Sequence, residues 1–263
     1  MMKITKTLAG LMLALMVVFT TGCENNNGKT NGNTVSETTN ETVTETVNET
    51  VNETVNANAL GYVDLGLPSG NLWATCNIGA NAPEESGDFF AWGEIEKKST
   101  YEWLNYKHCA DGERGKLTKY CPYASEGNHD FRDALKVLQP EDDAATAIMG
   151  DDWRMPDKEE YKELFRNTDR KWTTINGADG YLFTARNGSG NSIFLPACGY
   201  SLDGKLIAVG DGYYWSSLLF DGYDLEYDDP NLAWCLIFSS SNWCVDGTQR
   251  CVGMPVRPVR SLQ

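Results

Sequence analysis

Histidine and basic residues are scarce in this sequence of 263 residues, and both shortages exclude functions. Only His108 and His129 are present, so a catalytic site of three histidine ligands cannot be built. Lys and Arg together number 22 against 37 Asp and Glu, which gives a formal net charge of −15. Nucleic acids and anionic lipid headgroups bind basic patches, so we expect neither as a direct partner of the folded domain.

Long hydrophobic runs are also few, and the longest lies near the N-terminus. It covers residues 8–21 (LAGLMLALMVVFTT) behind Lys3 and Lys6. As a helix it would span about 21 Å, less than the bilayer core of about 30 Å, so it predicts a signal peptide rather than a membrane anchor. The run ends in Thr20-Thr21-Gly22-Cys23, which resembles the lipobox of bacterial lipoproteins.

This resemblance implies that residues 1–22 are removed as a lipoprotein signal peptide and that Cys23 is acylated with palmitate-type chains. Two or more chains on one cysteine hold a protein stably on a membrane. The expected location is the bacterial outer membrane, with the domain facing either the periplasm or the cell exterior. The alternative is ordinary secretory cleavage that leaves Cys23 unmodified.

Residues 23–59 contain no pattern that could build a hydrophobic core. A four-residue repeat, ETTN to ETVN, runs from Glu37 to Asn56 with five glutamates and no lysine. This composition predicts an extended, self-repelling linker. A short coiled coil along the valines of the repeat is the alternative interpretation.

Residues 60–263 are expected to form one domain, whose size allows it to bury roughly 70% of its unfolded surface. Helices are predicted over 140–149 and 156–167, the second with a capping box formed by Asp157 and Glu160. Strands are predicted over 181–184, 192–196, 213–217, 233–238, 243–245 and 256–259, separated by turns such as Asn176-Gly177. The order of these elements predicts an α+β fold with a mostly antiparallel, strand-rich C-terminal half.

The seven cysteines after residue 23 lack any Cys-x-x-Cys motif. Export permits disulfides, but an odd number leaves at least one thiol unpaired. Four residues, His108, Cys109, Cys121 and His129, could act as metal ligands. Because their spacing is irregular, partial burial or one disulfide is the favoured interpretation.

Several phrases in 61–260 together resemble one known family, the Fibrobacter succinogenes major paralogous domain, which is abundant in exported Bacteroides proteins. They are YVDLGLPSG and LWATCN (62–77), FAWGE (90–94), PEDDAA (140–145), WRMP (153–156), FLPA (194–197), GYYWSS (212–217) and VRPVR (256–260). The resemblance implies a C-type-lectin-like fold, related to the formylglycine-generating sulfatase-modifying domain. In that fold the first and last strands pair, which would place Tyr62 to Leu65 beside Val256 to Val259.

Catalysis is not expected. Enzymes of this wider fold use a cysteine pair with copper or a three-histidine iron site, and Cys244 and Cys251 lack the flanking polar motif. No cofactor is expected, although calcium remains an alternative. The resemblance to sugar-binding lectins, together with Asp228-Asp229-Pro230-Asn231, Ser241-Asn242 and Asp246, would suit a hard cation. The same residues are also ordinary turn formers.

Between Trp215 and Arg257, framework phrases alternate with chemically unrelated residues, which resembles the variable proteins of diversity-generating retroelements. Strand alternation predicts that Leu236, Phe238, Trp243 and Val245 face the core. The outward positions and the loop 219–231 then form a ligand-binding face. Its candidate residues are Asp221, Tyr223, Cys235, Ile237, Ser239, Cys244, Asp246, Thr248, Gln249, Cys251 and Met254. Tyr213, Tyr214 and Tyr227 would suit ligand contact or the core equally.

These features favour a non-catalytic, lipid-anchored envelope protein that binds a glycan or protein ligand. The first alternative is a structural or adhesin module of an envelope or fimbrial assembly. The second is a metal-dependent modifying enzyme.

Overall fold

A computed structural model describes residues 61–222 and 228–261. The expected signal peptide, Cys23, the linker, Tyr223 and Tyr227 lie outside the described residues. In the part of the chain that is described, no helix has both the length and the apolar character needed to cross a membrane.

The described chain is mixed in structure, with mostly antiparallel strands and few helices, as the α+β prediction required. The strands are β1 Tyr62–Asp64, β2 Leu72–Ala74, β3 Phe89–Phe90, β4 Thr168–Ile175, β5 Ala178–Ala185, β6 Ser192–Pro196, β7 Tyr200–Leu202, β8 Lys205–Ile207, β9 Gly212–Leu219, β10 Leu232–Phe238, β11 Trp243–Gln249, β12 Met254–Pro255 and β13 Val259–Arg260. The helices are α1 Ala144–Met149 and α2 Lys158–Asn167, with short 3₁₀ helices at Trp103–Asn105, Ala124–Glu126 and Asn128–Asp130.

The first and last described strands lie in one small sheet, but the expected direct pairing between them is wrong. The strand order is β1-β2-β13, so β2 lies between them, and Val63 and Val259 both lie opposite Trp73. Of the predicted strand 256–259, only Val259 lies in a strand, β13. Pro258 has no N–H to donate to the sheet. Its carbonyl accepts a hydrogen bond from Ala74 N of β2 at 2.9 Å.

The capping box of α2 is present as predicted. Asp157 accepts hydrogen bonds from the backbone N–H of Glu159 and Glu160, both at 2.8 Å, and the Glu160 side chain accepts from Asp157 N at 2.8 Å. Glu160 also binds the Arg154 guanidinium, at 2.7 and 2.5 Å. The start of α2 is thereby fixed to the segment that precedes it.

We expect Asp157→Ala to lower the free energy of unfolding by about 1 kcal/mol, because two N–H groups of the first turn lose their acceptor. Urea denaturation followed by circular dichroism measures this loss. Lys162→Ala, which removes a partly exposed side chain within the same helix, is the control and should change the stability by no more than about 0.5 kcal/mol. Equal stability losses in both variants would contradict the capping role.

The central sheet, with strand order β11-β10-β9, separates two hydrophobic clusters. Leu236, Phe238, Trp243 and Val245 are buried on one face, against α2 and β5, as alternation predicted. The other face carries Trp215, Cys235 and Ala233, which are buried in the second cluster with residues of β3, β7 and β12. The sheet is therefore covered on both faces over much of its area.

Two buried arginines join the segments of this framework, and neither pairs with a carboxylate within residues 61–222 and 228–261. Arg250 is fully buried and donates to the Tyr106 hydroxyl (2.8 Å) and to the carbonyls of Lys119, Tyr120 and Pro230 (2.9–3.1 Å). Its guanidinium also lies over the rings of Trp92, Tyr106 and Tyr120 at 5.0–5.8 Å.

Arg257, also fully buried, donates to Asn77 Oδ1 and to the carbonyls of Ala74, Thr75 and Phe194 at 2.8–3.2 Å. Each arginine thus joins backbone segments that are far apart in the sequence. These hydrogen bonds fix the positions of the loops and strands around the central sheet.

Candidate ligand-binding face

The second face of the central sheet is open only in part. Residues directly opposite each other on antiparallel strands share a face. Tyr213, Ile237 and Cys244 form one such row across β9, β10 and β11, and each is partly buried. The next row contains Trp215, Cys235 and Asp246, of which only Asp246 is partly exposed.

Thr248 continues the same face, opposite Ala233, and Gln249 is exposed at the end of β11. We call the partly accessible set the open patch. It consists of Tyr213, Ile237, Cys244, Asp246, Thr248 and Gln249. Five of the predicted ligand-binding residues, Ile237, Cys244, Asp246, Thr248 and Gln249, therefore lie together with Tyr213 in the open patch.

Three predicted ligand-binding residues are buried, so their assignment to an exposed face is wrong. Cys235 is 0% exposed, Cys251 is 1% and Met254 is 0%. Met254 lies in β12, which pairs with β3, and the adjacent Gly253 exchanges two backbone hydrogen bonds with Ser201 of β7 (2.8 and 2.9 Å). These distant segments cover the face on which Cys235 lies.

Asp221 lies apart from the open patch. It accepts hydrogen bonds from Trp234 Nε1 (2.8 Å) and Lys158 Nζ (3.0 Å), and Trp234 packs in the cluster on the α2 side of the sheet. Burial raises the pKa of Asp221, but these two hydrogen bonds outweigh it and lower the pKa overall. Ser239 is taken up in the β10–β11 turn, where its hydroxyl contacts the Asn242 side chain at 2.7 Å.

Trp103 borders the patch and was not identified from the sequence. Its Nε1 donates to Gln249 Oε1 at 2.9 Å, across 146 positions of sequence, and its ring contacts Tyr106 at 5.5 Å. Cys235 Sγ lies 3.2 Å from Thr248 Oγ1, so the buried thiol helps to position the Thr248 side chain of the patch. A single tryptophan in a 3₁₀ turn carries no local signal of this contact.

The side chains of the acidic turn 228–231, the candidate calcium site, form hydrogen bonds and an ion pair with other protein groups. Asp229 Oδ1 accepts from the backbone and side-chain nitrogens of Asn231, both at 2.9 Å, and Asp229 pairs with Arg114. Asn231 also donates to Glu126 at 2.9 Å, while Asp228 accepts from the Tyr123 hydroxyl at 2.6 Å. Within 61–222 and 228–261, no group of three or more Asp, Glu, His or Cys side chains is arranged to hold a metal ion.

All seven cysteines of the domain are free thiols, and no disulfide forms among them. Burial raises the pKa of Cys235 and Cys251 to about 12 and that of Cys198 to about 11, and it also raises those of Cys109 and Cys121. A nucleophilic cysteine needs the opposite shift. Cys235 and Cys251 pack inside one hydrophobic cluster, and Cys109 and Cys198 pack against the two clusters.

His108 lies in a buried polar cluster around Asp142. Its Nε2 donates to Gly93 O at 2.8 Å and lies 3.6 Å from Asp142. Asp142 accepts from Lys107 (2.9 Å), Lys119 (2.5 Å) and the Tyr120 hydroxyl (2.8 Å). Burial raises the pKa of Asp142, but these hydrogen bonds outweigh it and bring the pKa to about 2. The cluster is satisfied internally, as a structural network requires.

Comparison of this chain with protein-family models, with curated proteins and with solved structures found no match.

Proposed function

We propose that this protein is a non-catalytic binding protein whose ligand contacts the open patch beside Trp103. The observation that carries the proposal is the contrast within the central sheet. Most of both faces of the sheet is buried, and Arg250 and Arg257 join the surrounding segments. The open patch instead leaves side chains of mixed chemistry partly exposed.

The chemistry of the patch favours recognition. Tyr213 and Trp103 offer partly buried aromatic surface, Ile237 offers apolar surface, and Asp246, Thr248 and Gln249 offer hydrogen-bonding groups. Aromatic residues held against a rigid frame lose little side-chain entropy on binding, which is why they are frequent at the centres of interfaces. A glycan or a protein would both suit this combination.

The cellular setting of the proposal comes from the sequence. A lipid on Cys23 would anchor the chain on the outer membrane, and the acidic linker would hold the domain away from the surface. The proposed fold is C-type-lectin-like, within the Fibrobacter major paralogous domain family, with a patch that retroelement-type diversification could vary. A neighbouring reverse-transcriptase gene with a near-copy of the coding sequence for residues 215–260 would support diversification of the patch.

Binding assays on the mature chain carrying Cys23→Ser test the proposal. Glycan arrays and host-protein arrays are screened, and each hit is re-measured with the triple variant Asp246→Ala, Thr248→Ala, Gln249→Ala. We expect at least a tenfold loss of affinity, because truncation of central interface residues commonly costs more than about 1.4 kcal/mol.

The matched control is Asp169→Ala, which removes an exposed carboxylate on β4, outside the open patch. It should leave the affinity unchanged. If every detected ligand bound the triple variant as tightly as the unmodified chain, the open patch would not be the ligand site.

An assembly role is the second proposal, and the observation that favours it is the outer edge of β4, which pairs with no other described strand. Cross-linking in cells followed by mass spectrometry separates the two. One recurrent envelope partner would favour assembly, and a range of external ligands would favour a receptor.

A further inference from the structure

The outer edge of β4 carries backbone groups that are free to pair. The two-residue turn Asn176-Gly177 makes Ile175 and Ala178 the first hydrogen-bonded pair of the β4–β5 hairpin. Antiparallel alternation then directs the N–H and C=O groups of Arg170, Trp172 and Thr174 away from β5. Among the described residues, these groups have no backbone partner.

The side chains of β4 itself leave this edge open. Arg170 is held inward, since its Nη1 donates to Phe165 O at 2.6 Å, and the Trp172 ring packs on Tyr181 at 5.1 Å. Lys171 and Thr173 point to the other side of the sheet by strand alternation. The register with β5 is continuous over all eight residues of β4, without a bulge. β4 is thus a regular edge of the type that accepts another strand.

We propose that β4 pairs with β4 of a second copy of this chain, antiparallel, with Trp172 opposite the partner's Trp172. A two-fold axis through this pair also places Arg170 opposite the partner's Thr174 and Lys171 opposite the partner's Thr173. The outward backbone groups of Arg170, Trp172 and Thr174 then form about six hydrogen bonds with those of the partner.

The charges of β4 select this register. A shift that places Lys171 at the axis brings two lysines face to face, and a further shift does the same for Arg170. Like charges directly opposite are destabilising. The opposite shift, with Thr173 at the axis, avoids like charges but shortens the paired length. A lysine on an edge strand ordinarily discourages pairing, but here it faces a threonine.

Sedimentation velocity on the mature chain carrying Cys23→Ser tests the proposal, with Thr174→Pro as the first variant. The N–H of Thr174 points outward, so proline removes a bond to the partner and none to β5. We expect concentration-dependent dimers for the unmodified chain and monomers for Thr174→Pro. Thermal denaturation checks that the variant is folded. A monomer at every concentration, or dimers unaffected by folded Thr174→Pro, would overturn the proposal.

A charge pair at Thr173 tests the register itself. Thr173→Lys places two lysines opposite each other at two symmetric positions, and Thr173→Glu places a glutamate opposite Lys171. We expect the dimer dissociation constant to rise roughly two- to thirty-fold for Thr173→Lys and to fall by a similar factor for Thr173→Glu. Shifts in the same direction for both variants would overturn this register.

Discussion

Replacing Arg250 with methionine is expected to lower the free energy of unfolding by about 3 kcal/mol. Three backbone carbonyls, those of Lys119, Tyr120 and Pro230, and the Tyr106 hydroxyl lose their buried donor. For a domain of this size the melting temperature should fall by roughly 6–12 °C. Differential scanning calorimetry and urea denaturation measure both quantities.

The stability of Arg250→Lys should lie between that of the unmodified chain and that of Arg250→Met, because an ammonium keeps the charge but cannot reach four acceptors in a plane. The matched control is Arg186→Ala, which removes a half-exposed arginine that pairs with Asp169 at the surface. Exposed pairs of this kind contribute at most about 1 kcal/mol. If Arg250→Met were as stable as the unmodified chain, the carbonyls would have found other partners and the arginine would not be required for the frame.

The stability of the domain is expected to fall in mild acid because of His108. Burial lowers the pKa of His108 from 6.5 to about 4, although the hydrogen bond to Gly93 and the nearby Asp142 carboxylate partly offset this. Between pH 6.5 and pH 4 the unfolded chain therefore takes up a proton that the folded chain does not. The stability present above pH 6.5 is lost as the pH falls through this window, by about 2 to 3 kcal/mol at pH 4.5.

Urea denaturation of the unmodified chain and of His108→Gln at pH 7 and pH 4.5 measures this contribution. A glutamine amide can still donate toward Gly93 but does not titrate, so the variant should lose about 2 to 3 kcal/mol less between the two pH values. Asp142, whose pKa is lowered to about 2, stabilises the fold above pH 3.8, and this contribution is lost only as the pH falls below about 3.8. Val209→Thr, at an exposed position and with no titratable group removed, is the control and should keep the pH dependence of the unmodified chain. Identical pH profiles for His108→Gln and the unmodified chain would contradict the role of His108.

Local patterns in the sequence were sufficient for the elements with strong signals. The strand 192–196 has the predicted bounds, and α2 begins at the predicted capping box. The Asn176-Gly177 turn joins β4 and β5. In each case the residues that decide the structure are neighbours in the chain, so their chemistry can be read without knowledge of the fold.

β4 was missed for a physical reason. Thr168, Arg170 and Trp172 lie on the side of β4 that faces α2, and only one of them is hydrophobic, so the strand lacks the alternation that marks a half-buried strand. Arg170 is tolerated there because its guanidinium reaches the Phe165 carbonyl at the end of α2. That compensation comes from a different element and cannot be read from β4 itself.

For the candidate face, the sequence by itself determined which side of each strand a residue occupies. Leu236, Phe238, Trp243 and Val245 are buried together because strand alternation has a fixed period of two. Only the tertiary structure decided whether the opposite side is open. Cys235 is buried because β7, β12 and the segment around Phe90 fold over it, and Cys251 and Met254 are buried in the same cluster. Ile237, Asp246 and Thr248 stay partly accessible. Burial depends on contacts between residues far apart in the chain, and periodicity within one strand carries no information about them.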